Sequence, residues 1–359
     1  SSVSNNYAGY GGGINVSATG GSAELRIESG TVIFFNSAQF TGGGVRLWGD
    51  ARLVMLDADT QISDNEAIGI NPQNGQEQYG FGGGIELVRS AEVDIGSTGL
   101  GGYGVIYNNR ARYGGGTAVM AEGSDGEFVV ARLFSTDPAR PVRVQNNTAS
   151  QAGGGIYLKP NQAVSGTSNV RLCAYEFRID GNAAQEGAAI YADTDDATGV
   201  NFLGRSYVDL NPPEDACNAL PAGPVHCAVG TVCNSIDGNI ARTVDGQATT
   251  GAAVLIQEEA SLNADRVQWR GNHGGQVLRL THDGINGYEG EVSNSLLADN
   301  VVSGHLLLAD DGADLQLDHC TIANNTIAAA HVIEASDDLI LRRSIIDQGQ
   351  DDARPDFGR

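Results

Sequence analysis

Short bursts of alternation run the length of the chain. Ala23-Glu-Leu-Arg-Ile27, Ala51-Arg-Leu-Val-Met-Leu56, Ala313-Asp-Leu-Gln-Leu317 and Asp338-Leu-Ile-Leu-Arg342 put apolar side chains at alternate positions. Period two in aliphatic and β-branched residues predicts short strands. Apolar residues at the three- and four-residue spacing of a helix face are nearly absent. Glycine-rich and polar stretches separate the bursts and read as turns. The pattern predicts an all-β chain of many short strands.

The strands belong to a repeat. A hydrophobic residue, two variable residues and an asparagine recur at Val3/Asn6, Ile33/Asn36, Ile62/Asn65, Ile106/Asn109 and Val144/Asn147. The series continues at Ile179/Asn182, Ile236/Asn239, Trp269/Asn272, Leu297/Asn300 and Ile322/Asn325. A small-residue cluster then opens an apolar run, as in Gly11-Gly12-Gly13-Ile14, Gly153-Gly154-Gly155-Ile156 and Gly187-Ala188-Ala189-Ile190. Successive asparagines are 30, 29, 44, 38, 35, 57, 33, 28 and 25 residues apart. A constant motif at variable spacing means one structural unit carrying loop insertions.

Units of about 25–30 residues with three strands fit the coil of a right-handed parallel β-helix, a pectin-lyase-like solenoid of about ten coils. Stacked coils place equivalent side chains about 4.8 Å apart. The asparagines are then expected to form a ladder along one corner, and the glycines to supply positive φ or close approach at another. Residues 1–359 read as a single solenoid. Residues 201–235, with Asn211-Pro-Pro-Glu and Cys217, Cys227 and Cys233, read as an insertion loop within it.

Composition narrows the function. The chain has 50 glycines, 9 prolines and a formal net charge of −23. That charge argues against nucleic acid and anionic membrane surfaces, which select basic footprints. It leaves glycans, cations and basic proteins. No apolar run is long enough for a membrane-spanning helix. The crowding of Cys217, Cys227 and Cys233 predicts a disulfide between two of them and an oxidising compartment. Free thiols or a metal are competing readings, although the spacing is not that of a zinc finger.

Candidate chemistry follows from the predicted register. If Ile14, Val45, Ile85, Ile156 and Ile190 point inward, Asn15, Arg46, Glu86, Ala118, Tyr157, Tyr191 and Leu255 form an outward column. Two residues on lie Ser17, Trp48, Val88, Met120, Lys159, Asp193 and Gln257. Trp48, Tyr157 and Tyr191 are candidate platforms for sugar rings, with Arg46, Glu86, Lys159 and Asp193 as polar contacts. In a lyase, Lys159 or Arg46 would act as base or stabilise the developing enolate. A second column, including Asp195-Asp196 and Asp310-Asp311, suggests weak Ca²⁺ binding. His305 and His331 fall at matching points of successive units. Asp318 and His319 are adjacent in a strand, where alternation would send them to opposite faces. No nucleophile elbow, phosphate loop or His-Glu-x-x-His motif occurs.

The paired motifs resemble the repeats of polymorphic outer-membrane proteins. Gly187-Ala-Ala-Ile190 and Gly153-Gly-Gly-Ile156 approximate that family's Gly-Gly-Ala-Ile motif, and Trp269-Arg-Gly-Asn272 its Phe-x-x-Asn motif. The resemblance runs from Val3 to about Ile346. It implies a surface-displayed β-helix of the autotransporter-passenger or adhesin kind, on the outside of a bacterial outer membrane. Three functions follow as expectations: a non-enzymatic scaffold binding glycan or a host or neighbouring-cell surface protein, a polysaccharide lyase or hydrolase, and a segment of a longer rod. Further coils or an anchor outside this segment are part of that expectation.

Overall fold

The computed structural model describes residues 1–56, 59–70, 74–75, 79–97, 104–121, 127–135, 137, 140–160, 168–194, 204–211, 217, 234–243, 245–258, 260–282, 289–329, 331–347 and 357–358. Among them the regular structure is strand, with no helix. The strands form three sheets of 11, 10 and 19 members, and every pairing between named strands is parallel. The chain visits the three sheets in turn. It then returns to the first sheet one strand further on.

The hydrophobic position of the repeat sets the register. Val3, Ile33, Ile62, Ile106, Val144, Ile179, Ile236, Trp269, Leu297, Ile322 and Ile346 lie side by side across the first sheet. Ile33, Ile62, Ile106, Ile179, Ile236 and Trp269 are completely buried. They belong to one continuous apolar cluster that runs from Ala18 to Ala335.

The motif asparagines form the expected ladder. The backbone N–H and Nδ2 of Asn36 both donate to Asn65 Oδ1 at 3.0 Å. Asn36 Nδ2 also donates to the Val3 carbonyl at 3.0 Å. The same set recurs through Asn65, Asn109, Asn147, Asn182, Asn239, Asn272 and Asn300 to Asn325. The residue before each ladder asparagine is left-handed, from Asn5 (φ 57°) to Asn324 (φ 55°). It is Asn, Asp or Gly in every copy except Phe35 (φ 52°). The third motif position, which looks variable, is therefore set by backbone conformation.

One sequence expectation is corrected here. Cys217 bonds to Cys173, 44 residues away, and not to a cysteine of its own cluster. Cys173 lies on the strand Asn169–Tyr175 and packs with Phe134, Tyr175 and Cys217. Cys217 therefore lies against the third sheet, within reach of a cysteine distant in sequence. Cys227 and Cys233 lie outside the described residues.

Candidate functional site

The third-sheet strands begin at the glycine corner, in the anticipated register. Asn15, Arg46, Glu86, Ala118, Tyr157, Tyr191 and Leu255 are consecutive cross-strand partners. Ser17, Trp48, Val88, Met120 and Lys159 form the parallel column. The expected exposure is found at Asn15 and Ser17 but is lost in the middle of this face. Glu86, Ala118 and Tyr157 are 1 %, 0 % and 4 % exposed.

The glycines explain the burial. Gly11, Gly42, Gly82, Gly114, Gly153 and Gly187 all have positive φ. A Cβ on Gly153 would meet the Tyr157 Cβ at 2.7 Å, so the chain turns back toward its own outward column. The residue just before each glycine then packs over that column. These residues are Tyr10, Thr41, Phe81, Tyr113, Ala152 and Glu186. The result is a re-entrant corner between the second and third sheets.

Aromatic rings line this corner in two rows. Tyr10 and Phe40 have centroids 5.1 Å apart, and Phe40 meets Tyr79 edge-on at 6.2 Å. Tyr10 and Tyr79 are about half exposed, at 46 % and 53 %. In the second row Phe81 stacks on Tyr113 at 5.1 Å, Tyr113 meets Tyr157 at 5.3 Å, and Tyr157 stacks on Tyr191 at 5.3 Å. In the first row Tyr10 and Tyr79 are open to solvent and Phe40 between them is partly buried; in the second Tyr157 is buried and Phe81, Tyr113 and Tyr191 are partly buried.

Polar groups sit at both ends. Arg46 Nε donates to Glu86 Oε2 at 2.8 Å, and its guanidinium lies 4.8 Å from the Tyr10 ring centroid. Thr41 Oγ1 donates to the same Glu86 oxygen at 2.6 Å. At the other end Lys159 Nζ and Tyr191 Oη each lie 3.3 Å from Asp193 Oδ2, and Tyr191 also donates to Gln257. Burial, then Asp193 and Tyr157, hold the Tyr191 phenol well above its ordinary pKa. Lys159 and Arg46 are thus ion-paired groups and not free bases. Trp48 stands apart, with the Arg89 guanidinium 4.1 Å from its ring centroid. The strands Thr117–Ala121 and Ile156–Pro160 separate Glu86 from Tyr191 and Asp193, so the two acids form no catalytic pair.

Glu186 is the group that sequence reasoning missed. Its buried Oε2 has no hydrogen-bond partner. Burial raises its carboxyl pKa, while Arg279 and the Ala252 amide oppose the shift. A signal existed: the position before the glycine cluster holds Tyr, Thr, Phe or Ala in the five preceding units and a carboxylate only here.

The remaining expectations divide. Asp195 and Asp196 lie outside the described residues. Asp310 is bonded to Arg279 at 3.0 Å, and Asp311 takes a left-handed turn conformation (φ 55°). Among the described residues one converging set of metal-ligand types occurs, Cys173, Asp209 and Cys217, and its sulfurs are joined as a disulfide. His305 and His331 do stack, with centroids 6.2 Å apart, and His305 Nε2 lies 2.6 Å from Glu334 Oε2. Asp318 and His319 also meet, at 3.1 Å, contrary to the alternation argument. His319 is left-handed (φ 54°), which breaks the alternation. The next residue, Cys320, is buried, its thiol pKa is raised by burial, and its Sγ lies 3.2 Å from the Val292 carbonyl oxygen. No family model, curated protein or solved structure matches the chain.

Proposed function

We propose that the chain is a right-handed parallel β-helix of about ten coils, displayed outside the cell, that holds an extended carbohydrate chain along its re-entrant aromatic corner. The exposed row Tyr10–Phe40–Tyr79 carries this reading. Rings about one strand spacing apart give a sugar chain running across the strands a platform in three successive units. Arg46 and Glu86 supply hydrogen-bonding groups beside that row. Stacking of equivalent residues makes the surface long and stiff, which suits an adhesin-like scaffold. The disulfide agrees with an oxidising compartment. The scaffold reading is non-enzymatic, because the acids and bases of the groove are largely paired with each other.

Glu186 favours a second reading, a polysaccharide hydrolase or lyase. A carboxyl with a raised pKa and an unpartnered oxygen beside Tyr191 and Arg279 is the environment of a general acid. The test has two arms. Soluble polysaccharides, acidic and neutral, are titrated against the protein while tyrosine fluorescence is followed. The same mixtures are followed for unsaturated-uronate absorbance and for reducing ends. Saturable binding without turnover supports the scaffold. Turnover that disappears in Glu186→Gln replaces it with the enzyme, and absence of binding to every polymer refutes both.

A further inference from the structure

A second concavity opens on the outer face of the second sheet. It encloses about 420 Å³. Its floor includes Arg110, Thr148 and Ser150, and its wall carries Arg242, Thr243 and Asp245. Arg110 and Thr148 are cross-strand partners, followed by Ala183.

The wall is an insertion. Eleven residues lie between Asn239 and Gly251, against four between Asn109 and Gly114 and four between Asn182 and Gly187. The extra residues form a pinned turn. Thr243 N–H donates to the Gln247 carbonyl at 2.9 Å, and Gly246 N–H donates to the Thr243 carbonyl at 2.9 Å. Gln247 N–H donates to Thr243 Oγ1 at 3.1 Å, and Arg242 forms an antiparallel bridge with Ala248. A pinned turn presents its side chains with little ordering cost on binding.

Two of those side chains, Arg242 and Asp245, are unspent. Among the described residues neither Arg242 nor Asp245 makes a side-chain hydrogen bond or ion pair. Arg110 faces only Glu66, at 3.9 Å, with both side chains about half in water. Two guanidiniums facing one cleft are notable on a chain with a net charge of −23. Guanidinium forks match carboxylate or sulfate groups. The Asp245 carboxylate accepts hydrogen bonds from hydroxyls, and Thr148 and Ser150 offer hydroxyls of their own.

We infer that this cleft binds an acidic sugar, a uronate or a sulfated residue, with its anionic group on Arg110 and Arg242 and its ring hydroxyls on Asp245. A volume of about 420 Å³ lies within the range of small-ligand pockets. The inference stands apart from the aromatic corner, since it uses none of the same side chains.

The test is calorimetric titration of the intact chain with digalacturonate, its neutral counterpart digalactose, and inorganic sulfate. Digalacturonate is expected to bind at least tenfold more tightly than digalactose. Arg242→Ala and Arg242→Lys are each expected to weaken it at least tenfold, and Asp245→Asn to weaken the sugar but not sulfate. Raised salt should weaken the wild type and leave Arg242→Ala nearly unchanged. Unfolding curves of the variants check that this exposed turn has not disturbed the fold. Equal affinity for the neutral sugar overturns the inference, as does an unchanged affinity in Arg242→Ala. Sulfate binding as tightly as digalacturonate, with Asp245→Asn silent, would make the cleft a simple oxyanion site. Tyr10→Ala and Tyr79→Ala should leave digalacturonate binding at this cleft intact, so failure here and failure at the aromatic corner are distinguishable.

Discussion

Replacing Asn147 by leucine removes a central rung of the ladder. Asn147 Oδ1 accepts from the Asn109 N–H and Nδ2, both at 3.0 Å. Its Nδ2 donates to the Ile106 carbonyl and to Asn182 Oδ1, again at 3.0 Å. Leucine can replace none of these. It leaves the Asn109 N–H, one Asn109 amide hydrogen and the Ile106 carbonyl without partners at a site with 0 % exposure. Each orphaned group costs about 1–3 kcal/mol. The apolar side chain returns about 1–2 kcal/mol. Three such groups less that return leave a net loss of about 1–8 kcal/mol, a large share of the roughly 5–15 kcal/mol that holds a typical fold. Asn6→Leu is the control. Asn6 is exposed and only donates to Asn36, so its loss should cost less than about 1 kcal/mol. Urea unfolding followed by circular dichroism measures both, with midpoints compared because long repeat arrays depart from two-state behaviour. Equal shifts for the two variants, or a shift under about 1 kcal/mol for Asn147→Leu, would refute the ladder argument.

Three further perturbations are informative. Phe35 is the one bulky side chain at the left-handed ladder position, so Phe35→Asn should raise stability by about 0.5–1.5 kcal/mol; a lower unfolding midpoint would contradict this. Glu176 is 2 % exposed, neither carboxylate oxygen has a partner, and burial together with Asp137 pushes its pKa up to about 7. The folded state then holds a proton that the unfolded state has lost, so stability falls as pH rises from the unfolded pKa near 4.5 through 7. Glu176→Gln should flatten that decline, by about 1–3 kcal/mol at neutral pH, and an unchanged pH profile would show that the carboxyl is solvated. Reducing the Cys173–Cys217 bond opens a loop of 44 residues and should cost about 2–5 kcal/mol; thermal unfolding insensitive to reductant would contradict it.

The parallel stacking was legible because the signal repeats. An asparagine three residues after an aliphatic one means little once; ten copies fix a register, and the cross-strand partners follow it. The outward column from Asn15 to Leu255 was placed residue by residue for the same reason. Its exposure was not legible. Alternation tells which side of a sheet a residue faces, but Gly114 and Gly153 turn the neighbouring sheet over that side and bury Ala118 and Tyr157. Glu186 escaped notice because its role comes from that same turn. Cys173 escaped because proximity across parallel sheets follows strand pairing and not sequence distance, and Asp318–His319 because one left-handed residue cancels alternation locally.

The account centres on carbohydrate held along the open aromatic row. A glycan array probed with the wild-type chain and with Tyr10→Ala/Tyr79→Ala, matched for unfolding midpoint, tests it most directly. Both tyrosines are about half exposed, so the double variant should fold normally. The account predicts a defined set of polymeric glycans bound by the wild type and lost, by at least tenfold in affinity, in the double variant. Identical array profiles for the two proteins would contradict it.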